Sequence, residues 1–388
     1  MSKLLKKILL FFFLFICCQN HNFANNQENS EIDKQEIIPI IFGISGPHLT
    51  KEEKKLFQKY RVKGFILYKR NIESSNQLKK LIKNLRSLYD YPIMIFTDQE
   101  GGKVTNIVEN ISKHHFPSQG QIGSNYFSDY ESTMQKARQN YINLAQSLKN
   151  LGFDSGLSPV CDISYDMNSF IGNRSFGSNI NQVIDLSREA ISAMLDYSII
   201  PVLKHAPGHG KTSIDSHKML PIIKDSLESL EKKDFKIFKT LVKEFEDFNI
   251  FLMSSHIIYE SLDPISPITI SKNGINYIRN NIGFQNIILS DAIDMFAIHP
   301  TEVIEKLKVK IQELALKYYL INKNTKEINY FSLLHNKKIA SEIEFFEEKK
   351  LFNESLLKVA KKSLDAGCDI ILHCSGKIKE TKYILENF

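Results

Sequence analysis

Cysteine is scarce in this chain, and the positions of the few cysteines exclude the sites that this residue usually builds. Two of the five, Cys17 and Cys18, lie at the end of an N-terminal apolar segment, which leaves Cys161, Cys368 and Cys374 for the remainder. These three lie in apolar, strand-like surroundings and lack the paired spacing of a zinc site. The sequence therefore predicts buried thiols, with neither a disulfide framework nor a cysteine-bound metal.

The N-terminal apolar segment is too short to span a bilayer. It covers nine residues, 8–16, whereas a membrane-spanning helix needs about 20. Three lysines precede it and a polar stretch follows it, an order that is typical of a secretory signal. We therefore expect a signal peptide over residues 1–24 and a polar tether over 25–35, in preference to a buried N-terminal helix.

This signal predicts an exported protein, periplasmic or extracellular. Cys17 and Cys18 directly follow the apolar run, where a lipoprotein carries its lipid. The residue before each of them is not small, as such a site normally requires. A lipid anchor to the membrane is therefore an alternative to a freely exported chain.

Charge is mixed along the chain, without a block of one sign, a low-complexity tract or a short repeat. The formal net charge of +6 is thinly spread, and the three lysines of the predicted signal contribute half of it. Such a distribution gives no reason to expect a nucleic-acid partner. With 388 residues and 43% hydrophobic content, the chain can bury one large core or two modest ones.

Short apolar segments rich in β-branched residues alternate with charged, helix-like segments. Eight such strands, almost continuously apolar as buried parallel strands are, predict a single catalytic domain over 36–388 with a (β/α)8 barrel of the TIM type. A doubly wound sheet would show fewer strands or a glycine fingerprint after the first strand. The predicted strands are 37–43, 64–68, 92–97, 153–162, 199–204, 250–256, 287–291 and 369–373. The predicted helices are 51–60, 75–89, 132–150, 182–197, 227–248, 272–281 and 351–366.

One interval, about 301–350, does not fit this alternation. It is rich in Lys, Glu, Asn and Ile, and helical periodicity is visible over 303–320. We predict an insertion after the seventh strand that decorates the barrel and does not form a second domain.

The segment 204–217 concentrates groups that enzymes use in catalysis. Asp215 and His217 are two residues apart, so in an extended segment both side chains leave from the same face. A carboxylate beside an imidazole fixes its tautomer and stabilises its protonated form, as a general acid/base requires. The alternatives are loop histidines bonded to the backbone, or a metal site that combines this pair with His205 and His209.

Other predicted strands also end in polar residues. Because the carboxyl ends of barrel strands share one face, these residues are expected at a common rim, where barrel enzymes hold their active sites. The polar ends are Asp98–Lys103, Asp162 with the loop 173–177, the segment 204–217, Ser254–His256 and Ser290–Asp291.

Five motifs in this order resemble those of glycoside hydrolase family 3, and most closely its single-domain β-N-acetylglucosaminidases of cell-wall turnover. The resemblance covers about 37–373 and excludes the predicted insertion. The motifs are Asp98-Gln99-Glu100-Gly101-Gly102, Arg174-Ser175-Phe176-Gly177, Lys204-His205-x-Pro-Gly-His209-Gly, Asp215-Ser216-His217 and Ser290-Asp291.

The resemblance implies a retaining mechanism with a covalent glycosyl-enzyme intermediate, no cofactor and no metal. It makes Asp291 the nucleophile and His217 the acid/base, with Asp215 orienting the imidazole. The substrate class it implies is a terminal N-acetylglucosamine on peptidoglycan fragments or related oligosaccharides, and we expect a monomer.

The resemblance also assigns the residues that bind the hydroxyl groups of the terminal sugar. They are Asp98, Arg174, Lys204 and His205. Structural roles compete with some of these assignments: Lys204 could be a buried charge paired with Asp162, and Glu100 is expected to support its glycine-rich turn. We expect His209 to bond loop backbone and His256 to lie in or behind the site.

The chain departs from the family pattern at three positions. Lys103 and Asn106 stand where the family often has arginine, and Lys211 stands where it often has an acid. Asn106 removes a planar bidentate donor, so a sugar contact is weakened or reassigned. Lys211 is expected to lower the pKa of His217. A family 3 β-glucosidase, a metal-dependent hydrolase and an exported, non-catalytic glycan-binding barrel are the competing functions.

Overall fold

The computed structural model describes residues 36–388 apart from 323, 324 and 326, and its centre is a curled parallel sheet of seven strands. The predicted signal and tether lie outside the described residues. The strands are β1 (Ile38–Gly43), β2 (Val62–Leu67), β3 (Met94–Thr97), β4 (Gln99–Gly101), β5 (Val104–Thr105), β6 (Val202–Ala206), β7 (Ile222–Ile223), β8 (Phe251–Ser254), β9 (Ile258–Tyr259), β10 (Ile288–Ala292) and β11 (Ile370–His373). The large sheet has the order β3-β2-β1-β11-β10-β8-β6, and every neighbouring pair is parallel.

Helices follow most strands of this sheet and cover its outer face. They are α1 (Lys51–Lys59), α2 (Ser75–Arg86), α3 (Glu109–Ser112), α4 (Gln119–Gly123), α5 (Tyr130–Leu151), α6 (Ile180–Asp196), α7 (Leu227–Glu231), α8 (Asp234–Glu244), α9 (Lys272–Tyr277), α10 (Thr301–Lys317), α11 (Tyr330–Leu334), α12 (Lys337–Ile343), α13 (Glu347–Ala366) and α14 (Ile378–Asn387). The predicted helix 227–248 is divided into α7 and α8, and the predicted helix 272–281 ends in a π-turn over Ile278–Ile282. Among the described residues, no helix is both long enough and apolar enough to cross a bilayer.

The strands are apolar along their whole length because both of their faces are buried. Successive side chains of a strand point to opposite faces. In β1, Ile40 and Phe42 pack in the core between sheet and helices, whereas Ile41 packs in a second core on the inner face of the sheet. In β11 the same alternation separates Ile371 from Leu372. Two buried faces explain the uninterrupted hydrophobic runs of the sequence.

The prediction of eight strands is correct for seven and wrong for the fourth. The segment 153–162 bonds to both edges of the sheet: Thr97 N donates to Ser155 O at 3.2 Å, and Cys161 N donates to Lys204 O at 2.7 Å. It forms isolated bridges and no ladder. Leu157 has a left-handed φ of 44°, and Pro159 has no N–H to donate, so a regular strand is interrupted. The described chain is thus an α/β fold around a curled parallel sheet.

The interval 301–350 is mainly helical. It contains α10, α11, α12 and the start of α13. In α10 the buried residues Ile304, Leu307, Ile311 and Leu314 recur at helical spacing, which accounts for the periodicity of the sequence. The three cysteines of the described chain, Cys161, Cys368 and Cys374, are buried free thiols, as predicted.

Candidate active site

The carboxyl ends of the sheet strands surround a cavity of about 240 Å³. Six of the seven residues predicted from the sequence line it: Asp98, Arg174, Lys204, His205, His217 and Asp291. The seventh, Asp215, does not line the cavity but bonds to the His217 ring. The structure therefore brings together side chains from the ends of β3, β6 and β10 and from the intervening loops.

Lys204 carries a buried positive charge that two carboxylates neutralise. Its side chain is 2% exposed, and Nζ lies 2.7 Å from Asp98 Oδ1 and 2.5 Å from Glu100 Oε1. Burial opposes the charged form, but the two carboxylates outweigh it and raise the pKa of Lys204. The suggested pairing of Lys204 with Asp162 is wrong, because Asp162 bonds instead to His205.

Glu100 has a larger role than the support of its turn. Its carboxylate accepts two hydrogen bonds from Arg174, from Nε to Oε2 and from Nη2 to Oε1, both at 2.8 Å. Burial opposes ionisation, but Arg174 and Lys204 outweigh it and hold the pKa of Glu100 well below its usual range. Glu100 thus fixes Arg174 through a bidentate, charge-assisted contact and Lys204 through a single one. Phe170 stacks on the Arg174 guanidinium, 4.6 Å from the ring centroid.

His205 is held in one orientation by Asp162. Its Nδ1 lies 2.7 Å from Asp162 Oδ2, and its backbone N–H donates to the same carboxylate. Burial opposes ionisation of Asp162, but His205 outweighs it and lowers the pKa of Asp162. An ionised Asp162 accepts from Nδ1–H, and the other ring nitrogen, Nε2, lies 3.4 Å from Arg174 Nη2.

His209 is a buried support for the loop. Its backbone N–H donates to Asp162 Oδ1 at 2.7 Å, and its Nε2 lies 3.3 Å from Ser216 Oγ. Burial lowers the pKa of His209 to about 4, so its ring is neutral. Within residues 36–388 as far as they are described, no three His, Cys, Asp or Glu side chains are grouped to hold a metal ion. This arrangement does not support the metal-site alternative.

Asp215 and His217 form a hydrogen-bonded pair at the cavity edge. Asp215 Oδ1 lies 2.9 Å from His217 Nδ1 and accepts the His217 backbone N–H at 3.0 Å. Burial lowers the pKa of His217, but the hydrogen bond and charge of Asp215 outweigh it, and the net shift is upward. The pairing at Nδ1 leaves Nε2 as the nitrogen available for proton transfer.

The expectation that Lys211 lowers the pKa of His217 is wrong. Lys211 Nζ pairs with Asp225 and lies 5.5 Å from the Tyr165 ring centroid. This positive charge is compensated locally, and Asp215 governs the imidazole instead.

Asp291 stands at the end of β10 and faces the cavity. Its Oδ1 accepts the Ala292 N–H at 2.7 Å. Burial opposes ionisation, but His256 and His205 outweigh it and lower the pKa of Asp291. His256 lies behind it, with Nε2 3.0 Å from Ala292 O. The carboxylate is therefore ionised at neutral pH and available to react.

Asn106 has a structural role and bonds to the backbone at two positions. Its Nδ2 donates to Asp98 O at 2.6 Å, and its Oδ1 accepts from Lys69 N at 2.8 Å. A guanidinium still lines the cavity, that of Arg70, which donates to the backbone carbonyls of Ile44 and Cys374.

Several residues that line the cavity are not among those predicted from the sequence. Tyr68 and Arg70 follow β2, and Asp294 follows β10, so a polar strand end was the available signal. Phe331 and His335 come from the interval 301–350 and carried no such signal. Lining residues not predicted from the sequence include Tyr68, Arg70, Phe170, Asp294, Phe331 and His335.

Comparison with known proteins gives relatives along most of the chain. A sequence model described as "Glycosyl hydrolase family 3 N terminal domain" matches residues 31–317, a range that ends with α10. A β-hexosaminidase of Alkalilimnicola ehrlichii is 32% identical over 260 residues, covering 67% of this chain and 73% of that relative. A β-hexosaminidase of Thioalkalivibrio sulfidiphilus is 30% identical over 259 residues, covering 66% and 72%.

Solved structures share the fold. NagZ from Neisseria gonorrhoeae, in complex with N-trifluoroacetyl-D-glucosamine, gives a TM-score of 0.70 at 24% identity and covers 91% of this chain and 86% of that one. A family 3 β-N-acetylglucosaminidase from a Paenibacillus species gives 0.68 at 22% identity, with coverage of 90% and 56%. These likenesses establish the fold. From the family model and the sequence relatives together, the chain belongs to glycosyl hydrolase family 3 and is a glycoside hydrolase.

Proposed function

We propose that this protein is a retaining exo-β-N-acetylglucosaminidase that releases terminal, non-reducing N-acetylglucosamine. The observation that carries the proposal is that Asp291 and the Asp215-paired His217 line the same cavity. The relatives from Alkalilimnicola ehrlichii and Thioalkalivibrio sulfidiphilus are β-hexosaminidases. The cavity, about 240 Å³, lies below the roughly 300–1,000 Å³ typical of sites for larger ligands, which suits one sugar unit.

In the first half of the reaction, Asp291 attacks the anomeric carbon while His217 donates a proton to the leaving oxygen. The bond to the leaving group breaks, and a covalent glycosyl–Asp291 ester forms. A raised pKa keeps His217 protonated towards higher pH, as a general acid needs, and a lowered pKa keeps Asp291 ionised, as a nucleophile needs.

In the second half, the neutral His217 takes a proton from water, which attacks the anomeric carbon and releases Asp291. Two displacements return the original configuration of the sugar. A neutral imidazole near Asp291 avoids the repulsion that a second ionised carboxylate would cause.

The terminal sugar is bound by the charged groups around the cavity. Asp98 accepts hydrogen bonds from hydroxyl groups, and Lys204 and Arg174 donate to them. His205 hydrogen-bonds to them through Nε2. Because Glu100 and Asp162 hold these side chains in place before the sugar arrives, binding costs little side-chain entropy.

We also propose how the enzyme is built and where it acts. The segment 153–162, bonded to β3 and β6, completes a barrel of eight strand-like segments. The part of 301–350 beyond α10 is an insertion. The predicted signal over 1–24 supports export, with the chain free or lipid-anchored at Cys17 or Cys18. The exported enzyme is a monomer that acts on peptidoglycan fragments.

The test compares 4-nitrophenyl N-acetyl-β-glucosaminide with the corresponding β-glucoside. The wild type is expected to prefer the first and Asp291→Ala to lose turnover. His217→Ala should lose about 10²–10⁴-fold in kcat, because the intermediate then lacks the base that activates water. The first-formed sugar should be the β-anomer by NMR, and a chelator should have no effect. Equal turnover by wild type and Asp291→Ala would refute the mechanism, and faster cleavage of the glucoside would indicate a β-glucosidase.

A further inference from the structure

A short helix outside the regular β/α alternation forms part of the cavity wall. Phe331, from α11, and His335, which follows α11, both line the cavity beside His217 and Asp291. The predicted sequence motifs include neither residue. Their position brings the interval 301–350 to the reaction centre.

The surroundings of α11 hold Phe331 in place. Asn329 caps the helix by accepting the Ser332 N–H at 2.9 Å, and Leu334 is 1% exposed in the core. Tyr330 Oη donates to Gln312 Oε1 on α10 at 3.1 Å. A side chain on a capped and anchored element is aimed more accurately than one on a free loop.

The ring of Phe331 packs on the imidazole of the proposed acid/base. The two ring centroids are 5.3 Å apart at an interplanar angle of 73°. Phe170 makes a second contact with the same imidazole, at 5.5 Å and 61°. The edge-to-face arrangement is favourable for aromatic pairs at this separation.

The loop of His217 and the residues after β10 are also joined through their backbones. Ala297 N donates to Ser216 O at 3.2 Å. The neighbouring Phe296 packs on Phe331 with centroids 5.6 Å apart. Phe331 therefore contacts both the imidazole and the segment on which its loop rests.

We propose that Phe331 positions His217 for proton transfer and that Phe331 and His335 together form the leaving-group side of the site. This inference rests on the proposed function. Because His217 protonates the leaving oxygen, a side chain that packs on its ring lies beside the group that carries that oxygen. A ring and an imidazole there suit a second sugar unit, whose apolar face packs on Phe331 and whose hydroxyl groups meet His335.

The test exploits the dependence of acid catalysis on the leaving group. An N-acetylglucosamine disaccharide needs its leaving oxygen protonated, whereas an aryl glycoside with an acidic phenol hardly does. Phe331→Ala is expected to lower kcat/KM for the disaccharide about 10–100-fold, part of the full effect of a general acid, and to change the activated aryl substrate little. Phe331→Tyr, which keeps the ring, should restore most of the disaccharide activity.

Phe345→Ala is the matched control. Phe345 belongs to the same interval, is 83% exposed and lines a different surface groove. It is expected to behave as wild type with both substrates. An unchanged ratio between the two substrates in Phe331→Ala would overturn the positioning role.

A second readout does not depend on turnover. Carbethoxylation of His217 by diethyl pyrocarbonate, followed by peptide mass spectrometry, should be several-fold faster in Phe331→Ala than in wild type or Phe345→Ala. If wild type cleaves no N-acetylglucosaminide, the proposed function fails, and this rate still tests the packing. An unchanged modification rate would overturn the inference even if the enzyme is active.

Discussion

Two carboxylate–imidazole pairs in this site have the same chemistry and different surroundings. In the pair of Asp162 and His205, the side chains are 0% and 5% exposed, and the backbone of His205 adds further bonds. In the pair of Asp215 and His217, they are 28% and 39% exposed. The buried, rigid pair of Asp162 and His205 suits a group that holds substrate in one position. The more exposed pair of Asp215 and His217, on a loop, suits proton exchange with substrate and water.

The pair of Asp215 and His217 predicts a defined change in pH dependence. In the proposed mechanism glycosylation needs His217 protonated, so its raised pKa sets the alkaline limb of kcat/KM. Asp215→Asn removes the carboxylate that outweighs burial, so the pKa of His217 falls and the alkaline limb moves to lower pH. At pH values above that limb, kcat/KM should fall at least ~10-fold.

The measurement is a pH profile of kcat/KM with the N-acetylglucosamine disaccharide, whose leaving oxygen needs a proton. The acidic limb, which in the proposed mechanism reports ionisation of Asp291, should stay in place. Asp166→Asn, a loop aspartate that does not line the cavity, is the control. An alkaline limb that does not move in Asp215→Asn would show that Asp215 does not set the protonation of His217.

At the scale of elements, the loop between β6 and β7 carries the proposed acid/base, and an ion pair joins its ends. Lys211 lies near the start of the loop, and Asp225 lies just after β7. The contact holds the two ends of the loop together, so the lysine that departs from the family pattern has a structural use here.

Lys211→Ala should loosen this loop and displace His217 for part of the time. We expect kcat/KM to fall about 3–10-fold, because small misplacements of a catalytic group are costly. Hydrogen exchange over residues 211–220 should increase. The charge swap Lys211→Asp with Asp225→Lys should recover part of the loss. Ser213→Ala, at an exposed position of the same loop, should change neither kcat/KM nor hydrogen exchange. Unchanged exchange in Lys211→Ala would exclude the restraint.

At the scale of the whole molecule, a buried ionic network joins the last three elements of the chain. Glu380 on α14 is 1% exposed and pairs with Lys349 on α13 and His373 on β11. Lys377 lies 3.5 Å away from Glu380. Burial opposes ionisation, but Lys349 and Lys377 outweigh it and lower the pKa of Glu380 strongly.

Glu380→Gln should therefore destabilise the fold, because it leaves buried cations without their counter-ion. Breaking one side of a buried pair typically costs about 3–5 kcal/mol, and urea unfolding of the wild type and the variant would measure this loss. Glu302→Gln, which breaks an exposed pair with Lys306 on α10, should not shift the urea midpoint. An unchanged midpoint for Glu380→Gln would show that the network does not stabilise the protein.

The strands and the position of most of the site could be predicted from the amino-acid sequence. Apolar runs of strand length are readable because both sheet faces are buried, and seven of the eight predicted strands are found in the sheet. Polar residues directly after such strands converge because parallel strands share a carboxyl edge. For this reason the order of residues along the chain was enough to place Asp98, Lys204 and Asp291 at one rim.

Which distant side chains meet depends on the tertiary structure. Glu100 was expected to support a turn, and its bonds to Arg174 and Lys204 depend on the packing of three separate segments. Phe331 reached the cavity through the docking of α11, which no local pattern encodes. Periodicity reports whether a residue is buried within its own element, whereas the identity of its partners depends on how elements pack, and that is a property of the folded chain.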